Sequence, residues 1–284
     1  NRDNLTSNKE NSFIGNNNSD KKDNKQIKKF WDFIEKAREE NKSSKYKESN
    51  KTFYQAIDFL SEYAPKEKFD EFSSSIWQEI AENHSYLGNY DKAEKLLIDA
   101  LKIKKKIFGL NDISVAITLH NLGSINLLQG NYKKAEKNYL KALKIKEKVL
   151  DKDNEEIFNT VFALNNLYSE LGNLKKAESN AKRAMNFANK NFNKNDPKVA
   201  SVKNSLGLIY LRVGKYNLSQ NLFLDALDIF KKRFDENDPT ILKVKSNLAK
   251  FYTLKGDYKK AENILVSNLE IIKKKNGNNN ITTS

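Results

Sequence analysis

The chain has 284 residues, of which 38% are hydrophobic and 31% charged, and its formal net charge is +14 at neutral pH. It contains no cysteine, which excludes disulfides, thiolate nucleophiles and cysteine metal sites, and no apolar run long enough to cross a bilayer as a helix. So low an apolar fraction beside so much charge suits a thin, two-layer helical array with a large solvated surface.

The start, Asn1-Arg2-Asp3-Asn4, shows neither an initiator Met nor a signal-peptide pattern, and reads as part of a longer or processed chain. Residues 1–26 are rich in Asn, Ser, Asp and Lys, with Phe13 and Ile14 as their only anchors, and predict a disordered arm. Residues 27–67 predict a degenerate helix pair. Phe30-Trp31-Asp32-Phe33-Ile34 supplies its first helix, and Ser44-Lys45-Tyr46, Ser49, Phe53, Ala56 and Phe59 supply its turn and second helix.

Regular repeats follow over 68–275, paced by Gly88, Gly130, Gly172, Gly214 and Gly256 at a constant interval of 42 residues. Four of these glycines stand two residues before a Tyr, and Gly172 two before Leu174. Glycine suits the left-handed conformation that ends one helix and turns the chain into the next.

Ahead of each glycine a large aliphatic column (Ile80, Leu122, Leu164, Leu206, Leu248) precedes a mostly small one (Ala81, Gly123, Asn165, Gly207, Ala249). Behind it, Ala93, Ala135, Ala177, Ser219 and Ala261 begin the apolar stripe of a second helix. Asp70, Asp112, Asn154, Asp196 and Asp238 stand eighteen residues before the glycines, as N-caps of the first helices, twice followed by Pro197 or Pro239 at the first helical position. Trp31 and Trp77 fall on first-helix core faces. Residues 276–284 predict a fraying tail. Stacked repeats of this kind form an all-α, right-handed α-solenoid of about six antiparallel helix pairs.

The column set of large aliphatic, small residue, aromatic, Gly-x-Tyr, Ala and Ala resembles the tetratricopeptide repeat (TPR) over roughly residues 28–275. The longer period, with phrases such as Asn195-Asp196-Pro197-Lys198-Val199-Ala200 and Thr118-Leu119-His120-Asn121-Leu122, resembles the kinesin light chain type of repeat. The resemblance implies that the first helices line a concave groove holding an extended peptide. Carried onto this sequence, the groove positions are Gln78, Glu79 and Glu82, then His120, Asn121 and Ser124, then Phe162, Asn166 and Ser169. Asn204, Ser205 and Leu208 follow, and Ser246, Asn247, Lys250 and Thr253 come last, with Lys243 one turn earlier.

Asparagine can donate to and accept from a peptide backbone, and Asn121 and Asn247 match most closely the groove asparagines of kinesin light chain-type repeats. An Asn-rich chain also places Asn on solvated faces by composition alone. Glu79 and Glu82 at one end, with Lys243, Lys245 and Lys250 at the other, would orient a charged peptide. Glutamates in the early repeat disfavour the carboxylate clamp that grips heat-shock chaperone tails. Phe162 and Leu208 could anchor a partner side chain or pack on a neighbouring helix.

Only two histidines exist, His84 and His120, and no phosphate loop, nucleophile elbow or metal spacing appears, so no enzymatic activity and no cofactor are expected. The expected function is a protein–protein interaction scaffold binding an extended peptide of another protein. The alternatives are a polyanion, nucleic acid or anionic membrane, on outer helices carrying Lys133, Lys134, Lys259 and Lys260, or a homodimer through the open C-terminal end. There Leu265, Leu269 and Ile272 lack a following helix and Asn268 replaces the packing alanine. Without a signal peptide or spanning segment, a cytoplasmic location is the expectation.

Overall fold

A computed structural model describes residues 21–276, with side chains described over 25–274. The described residues form twelve helices in antiparallel pairs and no strand, an α-solenoid. The pairs are α1 (Lys21–Lys42) with α2 (Tyr46–Tyr63), α3 (Lys66–Tyr86) with α4 (Tyr90–Phe108), and α5 (Ile113–Leu128) with α6 (Tyr132–Val149). Then come α7 (Glu155–Glu170) with α8 (Leu174–Asn191), α9 (Pro197–Arg212) with α10 (Tyr216–Lys231), and α11 (Pro239–Leu254) with α12 (Tyr258–Asn276). The chain divides into two compact units, Asn1–Val149 carrying α1 to α6 and Leu150–Ser284 carrying α7 to α12. No helix among the described residues is long and apolar enough to cross a membrane.

Helix α1 starts at Lys21, so residues 21–26, assigned to the arm on composition, are helical. The helix continues upstream through Lys and Asp residues because nothing in Lys21-Lys22-Asp23-Asn24-Lys25-Gln26 breaks it. The rest of the expected arm, 1–20, and the tail from 277 lie outside the described residues.

The periodic glycines turn the chain as expected. Gly88, Gly130, Gly172, Gly214 and Gly256 have φ between 69° and 78°, and the next amide closes back on the helix, as in Asn89 N–H to the His84 carbonyl at 2.8 Å. In the degenerate first pair Ser44 occupies this place with φ 58°. Asp112, Asn154, Asp196 and Asp238 cap α5, α7, α9 and α11, each accepting from the backbone N–H two residues on at 2.7–2.9 Å. Asp70 is the exception: α3 begins a turn earlier at Lys66, behind Pro65, and leaves Asp70 inside the helix.

In the first unit, Phe30, Ile34, Phe53, Leu60, Phe72 and Ile80 form one buried cluster, with Trp31 and Trp77 packed partly buried against it. The small column does physical work at two places. A Cβ on Gly123 would lie 2.6 Å from the Tyr139 ring, and one on Gly207 2.8 Å from the Phe223 ring, so helix α6 closes on α5, and α10 on α9, only because those side chains are absent. In the last pair Asn268 is buried, donating to the Leu242 carbonyl at 3.1 Å and the Ser246 hydroxyl at 3.2 Å. Leu265, Leu269 and Ile272 are nearly half exposed, as their position in the last helix leads one to expect.

Candidate functional site

The first helix of each pair carries the sequence-predicted binding positions, and in both units many of these side chains are spent on the neighbouring repeat. In the first unit the Arg38 guanidinium of α1 grips Glu79 of α3, with its Nη2 2.7 Å from Oε1. Glu79 is therefore already neutralised. Gln78 accepts from the Lys104 ammonium of α4 and, at 3.0 Å, from the Thr118 hydroxyl of α5. Glu82 is exposed and accepts from the Tyr86 hydroxyl at 3.3 Å.

On α5, Ser124 turns toward its own pair. It donates to the His120 carbonyl at 3.3 Å and accepts from the Tyr139 hydroxyl at 3.0 Å, while the His120 ring lies 5.3 Å from the Tyr139 ring. Asn121 is half-buried and has no hydrogen-bond partner among the described residues.

In the second unit three consecutive first helices are cross-linked by amides. The Asn165 amide of α7 donates to the Ser205 hydroxyl of α9 at 2.7 Å and to the Asn166 oxygen at 3.1 Å. The Asn247 amide of α11 donates to the Asn204 oxygen of α9 at 2.9 Å. Asn247 is only 4% exposed, so it is a helix-to-helix bridge first. The Asn204–Asn247 bridge leaves one group over on each residue. The Asn204 nitrogen and the Asn247 oxygen find no partner among the described residues, and neither is sealed from solvent. If both amides were rotated, the remainder would still be one donor and one acceptor.

Helical spacing extends this pair into short rows: Phe162 and Asn166 on α7, Asn204 and Leu208 on α9, and Lys243, Asn247 and Lys250 on α11. Phe162 is half-buried and stacks on Phe158 at 5.9 Å, and Leu208 is half-buried too. Lys243 and Lys250 are exposed without an ion pair among the described residues. Ser169, whose own hydroxyl is buried without a partner, offers its carbonyl to Arg212 at 2.6 Å.

The sequence columns place Asn165 among the small packing residues, and lysine's usual exposure hides two further positions, Lys104 and Lys146. Lys104 is 4% exposed and Lys146 fully buried. Their position sixteen residues past the glycine, shared with buried Ala188 and Phe230, was the available signal.

The second unit also holds an open depression of about 290 Å³ between the start of α7 and the end of α8, floored by Ile157, Phe158, Val161 and Phe187. At its rim Lys190 bonds Asp153 at 2.5 Å. Among the described residues no three His or carboxylate side chains gather in a manner that could hold a metal ion.

A family model described as tetratricopeptide repeat matches residues 72–148 and 158–232, and a second model of that description matches 246–278. No protein of curated function matches the chain. Among solved structures, it is similar to the TPR-like repeats of a putative kinesin light chain from Podospora anserina, at 19% identity over 72% of this chain and 97% of that one, with a TM-score of 0.59. It is also similar to BtubC (BKLC) from P. vanneervenii, at 20% identity over 92% of this chain and 95% of that one, TM-score 0.59. A Rap protein complexed with competence and sporulation factor superposes at TM-score 0.62, with 14% identity over 86% of this chain and 75% of that one. At these identities the likeness is one of fold.

Proposed function

Because the chain belongs to the tetratricopeptide repeat family, we propose that it is a non-catalytic interaction scaffold that holds an extended segment of another protein along its first-helix face. The observation that carries this reading is the Asn204–Asn247 bridge in the second unit. One amide hydrogen bond between α9 and α11 fixes both side chains and leaves a donor on Asn204 and an acceptor on Asn247, the complement of one peptide unit of an extended backbone. Leu208 beside the donor and Lys243 and Lys250 beside the acceptor would favour an apolar side chain followed by acidic ones. In the first unit Asn121 is the equivalent free amide. A bound factor in the Rap relative supports a protein or peptide cargo for the fold without specifying one for this chain.

The test is binding of peptides selected from a random displayed library on the wild-type chain. Asn204→Asp keeps the oxygen that accepts from Asn247 while deleting the free N–H donor, so the fold is retained. Loss of one neutral hydrogen bond weakens peptide binding about 3- to 10-fold. Peptides that bind Asn204→Asp and an Asn121→Ala, Asn166→Ala, Asn247→Ala triple variant as tightly as wild type would rule this site out.

A second reading rests on the nearly half-exposed Leu265, Leu269 and Ile272 on α12: the last helix pairs with that of a second copy. Solution mass tests it, since a monomer at high micromolar concentration leaves no role for this face in self-association.

A further inference from the structure

The lysines of this chain are not spread evenly over its second helices. On α4 the side chains turned into the core are Ala93, Leu97, Ala100 and Lys104, and on α6 they are Ala135, Tyr139, Ala142 and Lys146, flanked by buried Leu143 and Ile145. At 100° per residue the opposite face carries Lys95, Ile98 and Lys102 on α4, with Asp91, which accepts from the Gln129 amide at 3.0 Å, one turn before them, and Lys137, Leu140 and Lys144, with Lys141, on α6. All are exposed, Ile98 by 39% and Leu140 by 46%. The two triplets sit in the same register, 42 residues apart, so α6 repeats what α4 presents.

Composition does not account for the pattern. At the same three registers the second unit reads Ser179, Lys182 and Asn186 on α8, Asn221, Leu224 and Asp228 on α10, and Asn263, Val266 and Glu270 on α12, with Lys182 paired to Glu178 at 2.7 Å. The lysine-flanked aliphatic therefore belongs to the first unit. Lys102 is paired with Asp99 at 3.2 Å, whereas Lys95, Lys137, Lys141 and Lys144 have no ion pair among the described residues. Four uncompensated ammonium groups around two bare aliphatic side chains form a surface whose complement is negatively charged outside and apolar just beneath.

We propose that the outward face of α4 and α6 is a docking surface for an anionic lipid bilayer, separate from the peptide face formed by the first helices. Lysine stems lie along apolar surface while their ammonium groups reach the headgroups, and Ile98 and Leu140 enter the interfacial layer between them. Nucleic acid fits less well. Neither α4 nor α6 contains an arginine to fork onto phosphates, and the side chains between the lysines are aliphatic, with no exposed ring on this face to stack a base. The chain would then hold a protein segment through its first helices and rest on a membrane through α4 and α6.

The test is co-sedimentation of the full chain with phosphatidylcholine vesicles and with vesicles containing about 30% phosphatidylserine, at roughly physiological salt, where each lysine near such a surface contributes about fivefold in binding. Binding is expected only to the phosphatidylserine vesicles. Lys137→Gln, Lys141→Gln and Lys144→Gln together should weaken it about 100-fold, against a few-fold for the equal-charge control Lys36→Gln, Lys194→Gln and Lys273→Gln. Ile98→Ser with Leu140→Ser should weaken it about 10-fold with unchanged circular dichroism. Equal losses in the two lysine variants would reduce the effect to net charge and overturn the site. So would absent binding to phosphatidylserine vesicles. Tighter binding of a short DNA duplex, indifferent to Ile98 and Leu140, would overturn the lipid as its ligand.

Discussion

Replacing Gly207 with Ala should destabilise the α9–α10 pair even though alanine is the better helix former. The new Cβ would lie 2.8 Å from two carbons of the Phe223 ring and 3.3 Å from a third, where ordinary contact begins near 3.4 Å. Phe223 is fully buried and cannot swing aside, so α10 must shift outward. Overpacking of this kind costs about 1–3 kcal/mol, against about 1 kcal/mol gained from replacing a helical glycine, for a net loss of roughly 1 kcal/mol. The first regular pair shows the remedy, because there Ala81 stands at the same column and faces Leu97, both buried. Gly207→Ala with Phe223→Leu copies that pairing and should be more stable than the sum of the single losses by about 1 kcal/mol. Because a repeat array opens piecewise, the assay is urea unfolding together with amide exchange read on α9 and α10. A Gly207→Ala protein as stable as wild type, or a double variant showing strictly additive losses, would refute the close-approach argument.

Ser44→Gly should stabilise α1 and α2 by roughly 0.5–1 kcal/mol, since a non-glycine residue at φ 58° carries a steric cost that glycine lacks; amide exchange in α1 and α2 measures it. Asp196→Ala removes a working cap and should cost about 1 kcal/mol in a urea titration, while Asp70→Ala, which caps nothing, should stay within about 0.5 kcal/mol. Burial, and then the neighbouring Lys92, lower the His84 imidazole below its ordinary range. The unfolded chain therefore binds a proton at a pH where the folded chain does not, and stability falls as pH drops through the ordinary histidine range. Thermal melts at neutral pH and about two units below should show this acid sensitivity in wild type and a smaller one in His84→Asn.

The sequence disclosed the frame of this molecule because the frame is periodic. Turn glycines, caps at Asp112, Asn154, Asp196 and Asp238, and the small column at Gly123 and Gly207 are backbone and steric requirements that recur from repeat to repeat. Asp70 departs because Pro65, a stronger local start signal with no N–H of its own to satisfy, lies a turn upstream and opens the helix there. Column logic also contained the buried lysines, since Ala188 and Phe230, sixteen past their glycines, are core; lysine's usual exposure hid them.

The binding face was less legible for a different reason. A groove position is defined by what it points at, and a neighbouring helix can satisfy the same polar atom that a ligand would. Gln78, Glu79, Ser124 and Ser205 had the right register, yet each is held by Thr118, Arg38, Tyr139 or Asn165. An amide carries both a donor and an acceptor and can serve two tasks: Asn204 and Asn247 spend one oxygen and one nitrogen on each other and keep one of each without a partner among the described residues. Under the proposed function, asparagine at 204 and 247 lets a stacking contact and a recognition contact share one pair of residues. Leucine at both positions would preserve the stack by packing and abolish recognition. An Asn204→Leu, Asn247→Leu double variant of unchanged stability that no longer binds the selected peptides is the separation of roles this geometry requires.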